Sequence, residues 1–592
     1  MTFTSISSLL VAAARIFRRF PATILSGMLA ASAAIILVGE HPKAEHLEHL
    51  LMVSALAIPL FTALTLFWEK PPWGRPLSRS WIPMAGGAFF LAFYWALLNA
   101  DPGESRYLRY FQLSLAFHLA VALAPFLGRG EINGFWQFNR RLFLRLILSA
   151  IYASVFFGGL ALALVAVDNL FEVSLRGEIY ARLWVFTVFV FQTWHFLGGV
   201  PENLAALDGD REHPKALQIF SKYMLVPLVV LYLGILYAYM GKIVLTREWP
   251  QGWVGWLVSY AAVFGVLTLL LLHPGGQESG NRWVGRFARG FYIAVLPLLG
   301  LLFAALSKRV GQYGLTEPRY FLMVLGLWLA GIALYMLFSR AKSIKIVPLT
   351  LLLVALLTAC GPLGAYGMSL RSQSRRLEAL LTKYGLLSDG RLVKSKGPVD
   401  PADLKEMCAA LDYLIEKHGP ARLKRWLDKD WTRLASSGSV WEKRAKVGTE
   451  FMAAMGLEYA EPWSPSTYAF YSARDDGWDI GGYDLLVPSA FNNGSPSLDP
   501  GTYSARFDTK GRSVEILNGS KVVLSESLEP VLARLESLSP GGGGNFSPSD
   551  MSLVLSGPSL RVKVCFKSIM VNKGPNAVPL NAQGYLMIDT TP

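Results

Sequence analysis

Long apolar runs separated by short polar breaks fill the first two thirds of the chain. A helix that crosses a bilayer needs about 20 mostly apolar residues. Eleven runs meet that need, at residues 21–38, 50–68, 81–99, 107–127, 142–167, 181–200, 217–240, 253–272, 288–307, 320–339 and 345–366. The breaks carry charge, proline or glycine, as in Glu69-Lys70-Pro71-Pro72 and His273-Pro274-Gly275-Gly276. Ahead of the first run, Phe3, Ile6, Leu9, Leu10, Ala13, Ile16 and Phe17 share one helical face, which predicts a short amphipathic helix in the membrane interface. Arg15, Arg18 and Arg19 resemble the charged front of a signal peptide. The apolar run continues through Ile35-Ile36-Leu37-Val38 beyond the small residues, so an uncleaved anchor is expected.

The pattern changes after Tyr366-Gly-Met-Ser369. Helical periodicity comes first. Residues 370–386 repeat Leu377, Leu380, Leu381 and Tyr384. Asp400-Pro401 opens a helix with the face Leu404, Met407, Cys408, Leu411, Leu414 and Ile415. Two further helices are expected from Pro420 and over 440–456. Period-two alternation follows in Tyr503–Phe507, Ser513–Leu517, Lys521–Leu524 and Leu560–Phe566, the mark of half-buried strands. Asn518-Gly519 is a hairpin signal, residues 528–538 read as a helix, and Pro540–Asn545 reads as a flexible loop. The expected fold is a membrane α-helical bundle of about eleven transmembrane helices followed by a soluble α+β domain. Its parts are a polytopic domain (1–368), a helical juxtamembrane segment (369–460) and a strand-rich mixed α/β extracytoplasmic domain (461–592).

Composition agrees with a membrane assignment. Of 592 residues, 53% are hydrophobic and 17% charged, against about 25% charged in soluble domains. The net charge of +14 raises the question of nucleic acid, but residues from Ser369 onward hold 27 Lys and Arg against 25 Asp and Glu. The excess belongs to the apolar part, and no basic stripe marks a soluble domain, so nucleic-acid binding is excluded. With the N-terminus in the cytoplasm, eighteen Lys and Arg flank the runs on the cytoplasmic side and eight on the other. That bias favours this orientation. An odd number of spans then puts the C-terminal domain outside, in the periplasm of a cell with an inner membrane.

No catalytic signature appears, and neither a cofactor nor a metal set is implied. His41, His46 and His49 read as solvated surface. Cys408 and Cys565 are either paired or two buried free thiols; Cys360 falls in the last run. Polar groups inside apolar runs are costly. His118 and Gln112 on the fourth run, and Gln192 and His195 on the sixth, therefore mark either an ion path or helix-to-helix hydrogen bonds. Pro227, Pro297 and Pro348 each stand in an apolar-Pro-Leu triplet and are expected to kink three spans. The segment between the ninth and tenth runs groups Arg309, Tyr313, Glu317, Arg319 and Tyr320, with the acidic Asp168 and Glu172 expected on the same side. It is either a salt-bridged loop or a ligand or lipid-headgroup site.

Several motifs resemble one bacterial family. They are Tyr313-Gly-Leu-Thr-Glu-Pro-Arg-Tyr320 followed by Trp328, Phe135-Trp-Gln-Phe-Asn-Arg-Arg141, Lys222-Tyr-Met-Leu-Val-Pro-Leu228 with Leu236-Tyr-Ala-Tyr239, and Trp249-Pro-Gln-Gly-Trp-Val254. Together they resemble the domain of unknown function 4153 family over residues 10–385. The resemblance implies a multi-pass inner-membrane protein and no reaction. Two classes of function stay open. One is a non-enzymatic envelope protein whose outer domain binds a protein, lipid or polymer partner. The other is a transporter or lipid-handling permease with a cavity among proline-kinked helices.

Overall fold

The structure, a computed structural model, describes residues 6–39, 45–70, 81–100, 105–128, 130–173, 175–247, 253–273, 282–359, 361, 363–431, 440–459, 468–473, 478–492, 503–507, 513–518, 521–538, 544–558, 560–572 and 578–589. His41, Cys360, the Trp249–Gly252 part of one motif, Gly519 and the 540–543 part of the glycine loop lie outside the described residues. Two compact units form. One holds Met1–Pro398 with Ala410–Leu457, the other Val399–Ala409 with Glu458–Pro592.

The first unit is helical. Helix α1 (Ile6–Arg19) meets α2 (Pro21–Leu37) at a bend of 102°. Pro21 starts α2, where its missing N–H costs nothing, and Phe20 is buried at the elbow. The bend leaves α1 as the amphipathic helix that the periodicity predicts. Then come α3 (Glu45–Glu69), α4 (Trp81–Ala100), α5 (Ser105–Leu123), α6 (Ile132–Phe171), α7 (Glu178–Phe186), α8 (Thr193–Leu197), α9 (Lys215–Ile219), α10 (Val226–Thr246), α11 (Trp253–Leu272), α12 (Arg282–Tyr313), α13 (Glu317–Phe338) and α14 (Ile346–Ala359). A π-helical turn, Thr187–Gln192, joins α7 to α8, and another, Phe220–Leu225, joins α9 to α10.

A helix occupies each of the eleven expected runs, but among the described residues seven helices are long and apolar enough to cross a membrane, or eight if the bent α1–α2 pair counts as one span. The shortfall has local causes. Helix α5 carries Arg106 and Arg109, α7 carries Glu178 and Arg182, and α14 is 14 residues long.

The three prolines act differently. Pro297 sits inside α12. Pro348 is in the first turn of α14, where a proline is tolerated. Pro227 opens α10 directly after the π turn, because its ring cannot accept an ordinary turn behind it. Small residues let α2 approach its neighbours closely. At Gly27 a Cβ would fall 2.6 Å from the carbonyl oxygen of Phe189, so the first π turn packs against bare backbone.

Contacts along the chain gather two ends of the bundle. At one, Arg19 binds Glu69 and the carbonyls of Val200 and Pro201, Lys70 binds Glu131, and Lys345 donates to Gly128. At the other, Arg106 pairs with Glu45, and Tyr320 donates to Leu363. Helix α15 (Ala365–Lys383), a tight hairpin of β1 (Leu387–Ser388) and β2 (Arg391–Leu392), and α16 (Pro401–His418) follow.

In the second unit the strands are β3 (Tyr468–Ala473), β4 (Leu485–Asn492), β5 (Tyr503–Phe507), β6 (Ser513–Asn518), β7 (Lys521–Ser527), β8 (Gly544–Phe546), β9 (Ser552–Gly557), β10 (Leu560–Asn572) and β11 (Val578–Asp589). The larger sheet runs β4-β11-β10-β3-β8, with β9 also on β10. The thirteen-residue β10 serves β9 with its first half and β3 with its second. The smaller sheet is β5-β6-β7, with Asn518 paired to Lys521 across the expected hairpin. Helix Glu529–Leu538 contributes Val531 and Leu535 to a core with Val514, Ile516, Val562, Phe566 and Ile569. Cys408 and Cys565 are both buried, and no disulfide joins them. Burial pushes the Cys565 thiol up to about 11.

Candidate functional site

The loop between α12 and α13 is held by α15. Gly314 has φ +71, and a Cβ there would fall 2.7 Å from Nε2 of Gln373, so both backbone and space require glycine. Gln373 donates to the carbonyls of Tyr313 (3.0 Å) and Leu315 (3.3 Å), and Arg376 donates to Tyr313 (3.2 Å). Ser372 accepts the Leu315 amide at 2.9 Å.

Glu317 opens α13 and is buried. Ser369 donates to its Oε1 at 2.7 Å, and Tyr413 donates to its Oε2. Nε2 of His418 lies 3.6 Å from Oε1 and 3.3 Å from the Ser369 hydroxyl. The Tyr366 and Tyr413 rings flank His418. Burial, then the Glu317 charge, push the Tyr413 phenol far above its ordinary range. Serine, histidine and acid do not form a nucleophilic relay here. Ser369 is fully buried, its hydrogen goes to Glu317, and both approach the same imidazole nitrogen.

Arg309 and Arg319 sit over the Tyr313 ring, at 5.9 and 5.6 Å from its centre, and Arg319 donates to Gly314 at 2.7 Å. Among the described residues no ion pair joins Arg319 to Glu317. Asp168 accepts the Leu175 amide at 2.7 Å, and Glu172 ends α6 in a left-handed conformation. No described contact joins either acid to the loop. Sequence reasoning missed Ser369, Gln373, Tyr413 and His418. Ser369, Gln373 and Arg376 recur at helical spacing on α15, which is the signal that could have found the first two.

Hydroxyls inside the apolar helices mainly bond the turn before them, as Ser54, Thr62 and Thr268 do, but several polar groups bind neighbouring helices. Gln112 donates to Thr358 at 2.9 Å, Trp136 to Leu270 at 2.8 Å and Trp328 to Thr350 at 2.9 Å. His195 meets the Ser149 hydroxyl at 2.9 Å, with Phe191 and Tyr152 beside its ring. His118 and Gln192 differ, because both line a cavity.

That cavity, about 510 Å³, lies on one side of α6 among Pro59, Tyr110, Ser114, Asn139, Phe143, Val188 and Phe189. A second, about 430 Å³, adjoins it along the same helix among Trp136, Phe220, Leu225, Phe264, Leu267 and Pro348. Both share Ala122, Asn139 and Phe143. Each is lined by a proline and by residues of one π turn, an irregularity common at functional sites. Beyond them, α6 exposes Ile151, Val155 and Leu162. Among the described residues no group of three side chains is placed to hold a metal.

The start of α6 fixes this geometry. Asn133 donates to the carbonyls of Asp208 and Asp210, Gln137 and Arg140 donate to that of Glu212, and Arg141 binds the Asp210 carboxylate at 2.8 Å. Burial opposes ionisation of Asp210, but the Glu212 amide and Arg141 outweigh it and hold the carboxyl below its usual range. Five residues of the Phe135–Arg141 motif are buried here, and Asn139 faces both cavities.

The model of a family described as domain of unknown function (DUF4153) matches residues 23–388. The chain belongs to that family. An uncharacterized protein of Pasteurella multocida (strain Pm70) is 24% identical over 358 residues, which cover 58% of this chain and 57% of that protein. The chain therefore spans a little over half the length of that relative. No solved structure matches. The family has no assigned activity, and the apolar helices are consistent with a membrane protein.

Proposed function

We propose that this DUF4153 protein is a non-enzymatic, multi-pass protein of the bacterial inner membrane that holds the acyl chain of a lipid beside α6. The N-terminus is cytoplasmic, eleven helices cross, and the C-terminal α+β region is periplasmic. One observation carries the reading. The two apolar cavities along α6 meet at Ala122, Asn139 and Phe143, and each is bounded by a proline and a π turn. Apolar side chains form most of both linings, as suits a lipid chain better than a hydrated ion. A photoreactive fatty acid incorporated into cells tests it. Crosslinks should map to Phe143, and Ala122→Phe should abolish them at unchanged protein level. Crosslinks confined to the exposed outer face of α6 would refute it.

A second reading is that the α+β region binds an envelope protein or polymer. Strand β4 ends the hydrogen-bonded order of its sheet, and Leu485 and Leu486 are exposed on it. Such an edge invites a partner.

A further inference from the structure

We propose that the end of the bundle holding Arg289 and Lys342 binds the phosphate headgroup of an anionic phospholipid, whose acyl chain enters the cavity beside α6. This names the ligand class for the lipid-holding reading and rests on it.

A cavity of about 270 Å³ opens at the ends of α11, α12 and α13. Its polar wall is His273, Arg289, Tyr292 and Lys342. Leu270 and Ile344 line it too, and the same two residues line the 430 Å³ cavity. A cationic chamber and an apolar chamber thus share one wall, the arrangement that a charged head on an apolar tail requires.

The cations are available. Among the described residues neither Arg289 nor Lys342 has a hydrogen-bond or ion-pair partner, and no acid lines the cavity. Nε2 of His273 is buried without a hydrogen-bond partner, and it can donate to a phosphate oxygen. Lys342 has φ +41, a left-handed conformation that a side chain rarely adopts. Such a conformation persists where the surroundings hold it, often at ligand clamps. Arg282 and Arg286 precede Arg289 on α12 at helical spacing, so the local field is positive. Positive residues at a membrane edge also serve orientation alone. That simpler role does not account for a buried, unpaired imidazole nitrogen behind them.

The test uses full-length protein in neutral detergent. Wild type, Arg289→Gln/Lys342→Gln and the control Arg211→Gln, which lies outside the cavity lining, are mixed with phosphatidylglycerol or phosphatidylcholine vesicles. Bound lipid is then counted by native mass spectrometry, and melting is recorded to check folding. The double variant should bind phosphatidylglycerol roughly thirtyfold more weakly, the effect of two interfacial basic residues. Its phosphatidylcholine binding should not change, and the control should match wild type. Equal phosphatidylglycerol binding by wild type and double variant would overturn the headgroup site while leaving the acyl-chain reading intact. Failure of wild type to bind either lipid would overturn both. Displacement of phosphatidylglycerol by millimolar inorganic phosphate would overturn the lipid as source and assign the cations to free phosphate.

Discussion

Tyr413 donates its phenolic hydrogen to Glu317, 96 positions earlier in the chain, and thereby ties α16 to the first turn of α13. Ser369 on α15 supplies the other donor. The acid of the α12–α13 loop is thus an acceptor for two juxtamembrane helices.

The first expectation follows from that bond. Tyr413→Phe keeps the ring and removes one donor to a buried carboxylate. It should lower stability by about 1.5–3 kcal/mol, as for hydrogen bonds to charged groups. Thermal denaturation of the purified protein in detergent reads this. An unchanged melting curve would mean that the bond is dispensable.

The neighbouring arginine gives the second. Arg319 binds Gly314 and stacks on Tyr313, away from Glu317. Glu317→Arg should therefore be severe and Arg319→Glu milder. Combining them should not rescue, because the swapped acid would not face Tyr413 and Ser369. A double-mutant cycle should give a coupling within about 0.5 kcal/mol of additivity. Recovery of most of the lost stability would show a direct bridge.

Glu317 and Arg319 also show where sequence reasoning stopped. The apolar runs, the amphipathic helix ahead of them, the period-two strands and the Asn518–Lys521 pairing follow from local pattern, because lipid and pleat impose a period on the chain. Spacing in sequence does not say which partner a charged side chain takes. Arg319 is two residues from Glu317, yet on a helix such neighbours face apart. The true partners come from α15 and α16 by tertiary packing. Likewise Gln192 and His118 belong to different runs, and only tertiary packing brings both to one cavity. The π turns themselves carry no signal beyond Pro227.

Acid stability should depend on Asp210. Its carboxyl in the folded protein titrates below its usual range, so it contributes stability above the unfolded value near about pH 4. That contribution is lost as pH falls through the lower folded value. Asp210→Asn should flatten the acid limb of a stability-versus-pH curve below about pH 4. Arg141→Gln should do the same in part, since it removes one of the groups that lower the value. Parallel curves for wild type and Asp210→Asn would sink the assignment.

Topology gives the last expectation. Seven spans or eleven place the two termini on opposite sides, whereas eight place them on the same side. Contacts bear on the count. Arg19 before α2, Lys70 after α3, Glu131 before α6, Val200 after α8 and Lys345 before α14 are drawn to one end. For these segments to meet, α2 with α3, α4 with α5, and α6 with the α7–α8 segment must each cross and return. Those pairs include helices that are short or carry charges, which favours eleven crossings. The same end collects most of the loop Lys and Arg, and basic loops stay in the cytoplasm. Alkaline phosphatase fused after Pro592 should therefore be active, and a green fluorescent protein fused there should be dark. A bright fluorescent fusion with an inactive phosphatase would require an even count, and would turn the α+β region to the cytoplasm.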